Sequence, residues 1–392
     1  MIDSLYIAWR YICFHKAKTA ILTAVATLTI FLPVGVNTLM EEGARRLRLR
    51  AQQTPLLVGA KGGEADLVLN SLYFESKPPI ATNITAVERI RKSQYAKPIP
   101  LYVRFRAKGR PIVGATLDYF EFRRLRIGEG RPFAMLGECV LGADAAKTLE
   151  LSPGGTLLSE SENAFDLSGV YPLKMRVVGV LQPTGSPDDS AVFVDIKTAW
   201  IIAGLGHGHQ DLAKKEAAGS LLKKDGDRLT ANASVLTYTE ITPENASSFH
   251  FHGQEESFWL TGVIALPHDQ KSQTLLMGRY QAVDETSQIV QPVSVMDEML
   301  ASILRIRTFI LAGALLLGAA TTLSVILVFA LSFRLRRQEF ATMRKIGVSR
   351  FRLLAIAAWE IFLVLSLSGG IAAGMTIVTR QFGEHVIHWF LL

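Results

Sequence analysis

The chain has no Gly-x-x-x-x-Gly-Lys-Ser/Thr phosphate loop, no serine-hydrolase nucleophile turn and no zinc-protease motif. Gly59-Ala60-Lys61-Gly62-Gly63 is glycine-rich and basic, but it lacks the Gly-Lys-Ser/Thr order that cradles a phosphate. These absences argue against an enzyme: if ATP drives this protein, another chain must bind it. There are only two cysteines, Cys13 and Cys139, too few for a disulfide framework. There is no internal repeat and no long low-complexity tract. Charged residues make up 20%, too many for a chain that is mostly membrane, while 49% hydrophobic is high for a wholly soluble one. A mixed protein satisfies both. The net charge of +7 would bluntly suggest nucleic acid, yet the positive residues sit beside apolar runs, which points to membrane topology and no nucleic acid.

Three apolar runs are long enough to cross a bilayer, which takes about 20 residues. They give spans at 19–40, 304–333 and 353–378. The first is longer than a signal-peptide core, and Met40-Glu41-Glu42 is a poor cleavage site, so it reads as a retained anchor. Arg10, Lys16 and Lys18 precede it against a single acid, Asp3. Arg334, Arg336, Arg337, Arg344, Lys345, Arg350 and Arg352 lie around the loop between the second and third spans, against Glu339. Both segments are therefore expected in the cytoplasm. Arg45, Arg46, Arg48 and Arg50 run against that count, but they head a long domain, and long domains translocate largely regardless of charge. Cys13 and Cys139 then lie on opposite sides of the membrane. Residues 1–18 read either as a helix lying in the membrane interface, with Trp9 and Tyr11 as anchors, or as the plain start of the first span. Residues 379–392 are expected as a short extracytoplasmic tail.

Residues 41–303 read as one large α+β domain. Stretches at 101–105, 175–181 and 191–194 are rich in strand formers, and 85–93 and 143–149 have helical character. Pro153-Gly154-Gly155 and residues 183–187 mark turns. Residues 213–228 carry many charges and few large apolar groups, and read as an exposed helix or mobile loop.

The most specific segment is the loop at 334–352. Phe340, Met343 and Ile346 recur every three residues and give a short helix one apolar stripe. Gly347 suits its end, and Ser349 suits the cap of the next helix. Such a helix has nothing of its own chain to bury against. Periodicity alone allows two fates for the stripe, a partner protein or the lipid surface. This segment resembles the coupling helix of MacB/FtsX-type ABC permeases, with its basic start, Glu339-Phe340 step, and Arg344 followed by Gly347. The resemblance extends to Glu360, Ser368-Gly369-Gly370 and Gly374 in the third span, and to residues 293–300 before the second. It implies a MacB-like periplasmic core between the first two spans. It also implies a multi-pass bacterial inner-membrane protein. A cytoplasmic ABC ATPase would carry ATP and Mg, and a second permease copy would complete a homodimer. ATPase closure would move the coupling helices and, through the spans, the periplasmic domain. Arg337, Glu339, Phe340, Met343, Arg344, Ile346 and Gly347 would make the ATPase contact. The cargo would be a lipoprotein, peptide, drug or metal-related species, with a periplasmic adaptor or substrate protein as a further partner. The alternative is an FtsX-like regulator of an envelope enzyme, with no transport. Family members usually have four spans, and this sequence shows three.

Glu360 lies about two turns into the third span, where an ionisable group is costly and faces protein or water. It reads either as a contact that relays motion or as a structural hydrogen bond. Gly370 and Gly374 form a small-x-x-x-small pair that suits close helix packing. Five of the eight histidines fall between 207 and 268. His207 and His209, and His250 and His252, are His-x-His pairs whose members face one side of an extended strand. Each pair offers two imidazoles to zinc, copper or nickel; the plainer reading is two unrelated surface pairs.

Overall fold

The computed structural model describes residues 2–75, 77–160, 172–208, 221–225, 228–231, 238–281 and 286–391. It divides into a helical unit, Met1–Leu49 with Glu298–Leu392, and a mixed α/β unit, Arg50–Asp297.

Helix α1 (Ile2–Phe14) opens the helical unit, and α2 (Lys16–Gln52) comes directly after it. The mixed unit begins at the last turn of α2. In chain order it contains β1 (Leu56–Ala60), α3 (Glu64–Tyr73), β2 (Thr82–Asn83), α4 (Thr85–Ser93), β3 (Ala96–Ala107), β4 (Arg110–Ala115) and α5 (Leu117–Arg123). Next come β5 (Ile127–Gly130), β6 (Glu138–Leu141), α6 (Ala143–Leu149), β7 (Thr156–Leu158), β8 (Lys174–Leu181), β9 (Val192–Asp195) and α7 (Ile196–Ile202). The remainder is β10 (Gly206–Gly208), β11 (Leu221–Asp225), β12 (Arg228–Ala231), β13 (Phe249–Phe251), β14 (Trp259–Leu260), β15 (Gly262–Pro267), α8 (Gln270–Gly278) and β16 (Ser287–Val290). The chain then forms α9 (Pro292–Leu335), α10 (Arg337–Lys345) and α11 (Arg350–Leu391).

The main sheet runs β16-β1-β15-β3-β4-β9-β6-β8-β5, with β7 added on β8. It is mixed: β4 pairs parallel with β9 and β6 parallel with β8, while the other pairs are antiparallel. Its central strands are buried along most of their length, which explains their Val, Ile and Leu content. Helix α4 lies on β3, and α7 on β3 and β4. Trp200 of α7 is fully buried and donates its Nε1–H to the Trp259 carbonyl at 2.7 Å.

Glu138 is the buried polar residue of β6. Its carboxylate accepts from Arg131 at 2.5 and 2.8 Å, from Arg176 at 2.8 Å, and from the amides of Ala134 and Met135. Burial favours its neutral form, but the bonds from Arg131, Ala134, Arg176 and Met135 outweigh burial and hold the carboxyl at about 2.

The expected strands and helices of this unit form where the sequence placed them. Residues 221–231 do not form a helix: β11 and β12 pair antiparallel with Asp225 opposite Arg228. Residues 213–220, 226 and 227 lie outside the described ones.

In the helical unit, three segments are long and apolar enough to cross a membrane: Lys16–Gln52, Thr308–Leu335 and Arg350–Gln381. Helix α2 continues past the apolar stretch through Glu42, which pairs with Arg45 and Arg46 at i+3 and i+4. Helix α11 likewise continues beyond residue 378 to Leu391, so the expected tail is helix.

Candidate functional site

The loop between the last two spans is built as a tight helix–turn–helix. Helix α10 closes with a Schellman turn: the Val348 amide reaches the Met343 carbonyl at 3.1 Å, and the Gly347 amide reaches Arg344 at 3.0 Å. Gly347 has φ +95°, which a residue with a Cβ adopts only with strain. Ser349 then caps α11 by accepting from the Arg352 amide at 3.4 Å.

Just before α10 sits Arg336, and it is buried. Its Nη1 donates to Glu360 Oε2 at 3.1 Å. The other oxygen, Oε1, accepts from Lys18 Nζ at 2.9 Å, and Lys18 also donates to Ser332 Oγ at 2.6 Å. One carboxylate therefore joins α2, the end of α9, the root of α10 and α11. The Arg336 guanidinium carbon lies 3.7 Å from the Tyr11 ring centroid and 4.9 Å from that of Phe340. Its Nε also donates to exposed Glu339 at 3.2 Å. Lys18 lies over the rings of Tyr11 and Phe329. Glu360 is 3% exposed, Arg336 8% and Lys18 23%. Burial at that level is tolerable only because both carboxylate oxygens are paired with cations.

Glu360 stands at the head of a buried ridge on α11. Ile356, Glu360, Val364, Ser368 and Ala372 recur every four residues and are all buried. Ser368 donates to the Thr23 carbonyl at 3.2 Å, and Thr27 donates to the Ser368 carbonyl at 3.4 Å. Gly370 and Gly374 lie off this ridge. A Cβ on either would meet nothing within 4 Å, so within the chain they face open space. The glycine pair is offset by two residues from the ridge and falls on another face of the helix.

The stripe of α10 also differs from expectation. Phe340 is half-buried and faces the Phe333 ring at 6.4 Å as well as Arg336, so it does have its own chain to pack on. Met343 is half-buried, and Ile346 is 78% exposed. Arg337, Glu339 and Arg344 are exposed. Lys18 and Arg336 entered the sequence reading only as topology charges. The signal that could have found them is that a carboxylate within a span needs a partner.

A second buried pair lies in the mixed unit. Arg50 donates through Nη1 and Nη2 to the two oxygens of Asp188 at 2.7 and 2.9 Å, through Nη2 to Tyr119 Oη, and through Nε to the Leu72 carbonyl. The Tyr119 hydroxyl donates to Asp188 at 2.7 Å, and Ser186 does so at 2.9 Å. Burial alone would raise the Asp188 carboxyl, but the Arg50 charge and these bonds hold it below the ordinary range. Burial, and then the Asp188 charge, push the Tyr119 phenol up.

The sequence-predicted histidines also converge. His207 of β10, His250 of β13 and His252 place their ligand atoms within 4.8 Å of one another. His209 lies outside the described residues.

Three membrane-length helices, a tight helical loop between the last two, and one large mixed domain between the first two define a multi-span membrane protein with a large α/β domain. The family model of the MacB-like periplasmic core domain matches residues 20–235, and the chain belongs to that family of ABC-type permeases. Among solved structures, the extracellular domain of the ABC-type transporter YknZ from Gram-positive bacteria is similar at 12% identity and a TM-score of 0.32. That match covers 60% of this chain and 98% of that one. The periplasmic region of MacB from Actinobacillus actinomycetemcomitans matches at 13% identity and a TM-score of 0.32, over 63% and 92% of the two chains. A domain of a putative permease from Porphyromonas gingivalis matches at 9% identity and a TM-score of 0.25, over 60% and 86%. No curated protein sequence matches.

Proposed function

We propose that this chain is the permease subunit of a mechanotransmission-type ABC transporter in a bacterial inner membrane. It pairs with a second copy, and it couples ATP hydrolysis by a separate cytoplasmic ATPase to movement of its periplasmic domain. The observation that carries this reading is the Glu360 carboxylate shared by Lys18 and Arg336. Arg336 lies at the root of α10, so displacement of α10 pulls on Glu360 of α11 and, through it, on Lys18 of α2. A helix lying passively on lipid has no need of that tie. The ATPase contact falls on Ile346, with Met343 beside it, because Ile346 is the apolar residue of the stripe that the chain leaves exposed. Burying such a side chain is worth roughly 1.5–3 kcal/mol, whereas rim charges such as Arg337 and Arg344 contribute roughly 0–1 kcal/mol and mainly select orientation.

Docking and relay separate experimentally. Ile346→Asp is expected to abolish co-purification of the ATPase from detergent while the permease still inserts. Arg336→Met is expected to retain the ATPase, but ATP hydrolysis should continue without cargo movement. If Ile346→Asp holds its ATPase as the wild type does, or Arg336→Met remains fully coupled, the loop is not the coupling element.

A further inference from the structure

The ribbon of β10 and β13 has two unlike faces. In its antiparallel register, Gly206, His207 and Gly208 lie opposite Phe251, His250 and Phe249. The glycines admit the phenylalanines: a Cβ at Gly208 would stand 2.5 Å from the Phe249 ring, and one at Gly206 would stand 2.8 Å from Phe251. Phe249 and Phe251 pack on the core of the unit, with Phe251 5.7 Å from the Phe258 ring and 6.4 Å from Trp200. Side chains alternate across a strand, so burying the phenylalanines turns His207 and His250 to the opposite face. His252, two residues beyond His250, shares that face, and its amide is tied to the Leu205 carbonyl at 2.9 Å.

The three rings form a compact group. Their centroids are 5.0 Å apart for His207 and His250, and 4.7 Å for each of the other two pairs. The Nδ1 of His250 lies 3.1 Å from the Ser248 carbonyl. A carbonyl can only accept, so Nδ1 is the donor in this bond, and in the neutral ring that tautomer presents Nε2 as the ligand atom. A backbone carbonyl behind a ring nitrogen is the usual support for a metal-bound histidine.

We propose that His207, His250 and His252 form a binding site for a divalent zinc-type ion on the periplasmic domain. Tetrahedral zinc holds its nitrogens about 3.3 Å apart, given Zn–N distances of about 2.0–2.1 Å. Ring rotation about χ2 closes the remaining gap from 4.8 Å without moving the ribbon. Three imidazoles leave one position open to water or an incoming donor, as in zinc sites that exchange or react. The ribbon is already held by Phe249 and Phe251, so the metal is not needed for folding. It is an exposed, exchangeable ion that the domain can accept and pass on. This site stands independently of the coupling role proposed for the loop.

The test uses the full chain in detergent, without a histidine tag, stripped with chelator and then titrated with zinc alone against a competing chromophoric chelator. The wild type should take up about one tight equivalent per chain. That equivalent should be lost in His250→Ala/His252→Ala and in His207→Ala. It should survive His268→Ala, which alters an exposed histidine outside the cluster. Cobalt in place of zinc should give a visible d–d band that His207→Ala removes. Unchanged tryptophan fluorescence and elution volume would show that the variants fold. A wild type without a tight equivalent, or variants that keep it, would overturn the site.

Discussion

Asp188 and Glu360 are each almost inaccessible, at 2% and 3%, and each is bound to arginine, yet their surroundings differ in kind. Asp188 receives one cation, Arg50, through both oxygens, and Tyr119 and Ser186 complete the shell. All these groups belong to a sheet-and-helix unit with a continuous core, and the bidentate fork permits one geometry. Glu360 receives two cations, one per oxygen, from separate helices, and Lys18 is nearly a quarter exposed. Among the described residues, the helical unit holds an apolar cluster of Ile12, Leu22, Phe329 and Val364, far smaller than the core of the mixed unit. Each partner of Glu360 holds its own oxygen. The first arrangement is a lock. The second is the geometry that the coupling role proposed above would use as a joint.

Removing the lock should have the largest effect. Asp188→Asn keeps the shape but leaves Arg50 buried without a counter-charge, at a cost of about 3–5 kcal/mol. Urea unfolding of the full chain in detergent, followed by tryptophan fluorescence with buried Trp200 as reporter, measures it. A change under about 0.5 kcal/mol would reduce the pair to an ordinary surface contact.

Glu360→Gln should cost less, about 1–3 kcal/mol, because Lys18 can turn to solvent. Its signature should be functional: the mixed unit unfolds as in the wild type, while ATP hydrolysis in the assembled complex no longer drives cargo movement. Full coupling in Glu360→Gln would make this carboxylate a purely structural bond.

Acid should sharpen the contrast in a graded way. Glu138 is held at about 2 in the fold against an ordinary 4.5, so its contribution is complete above pH 4.5 and is lost as the pH falls towards 2. The depressed Asp188 carboxyl acts in the same direction. Unfolding free energy should therefore fall steadily below pH 4.5, with a shallower slope in Glu138→Gln. Equal slopes in the two proteins would show that Glu138 is not a source of this dependence.

Much of this architecture was legible along the chain. The apolar runs, the short α10 helix, the Gly347 turn and the Ser349 cap are local patterns, and they formed as expected. The three-residue spacing that marked Phe340 could not show that Phe333 and Arg336 would cover it. The small-x-x-x-small spacing of Gly370 and Gly374 was equally visible, but the buried ridge is 356-360-364-368-372. Both patterns suit close packing, and only the position of α2 chooses between them. The charge-rich composition of 221–231 did not announce the antiparallel pairing of β11 with β12, because pairing depends on register and not on charge content.

By itself the sequence determined the features that rest on periodicity and on the cost of burying polar groups. These are the elements long and apolar enough to cross a membrane, the loop with its apolar stripe, and the need of the Glu360 carboxylate for a partner. Tertiary structure alone decided which cations answer it, since Lys18 and Glu360 are separated by 342 positions. It also decided that His207 joins His250 and His252, because strand register aligns residues that no spacing rule connects. Sequence patterns report forces that act within a few residues, whereas partner choice depends on packing, where every element competes for the same buried space.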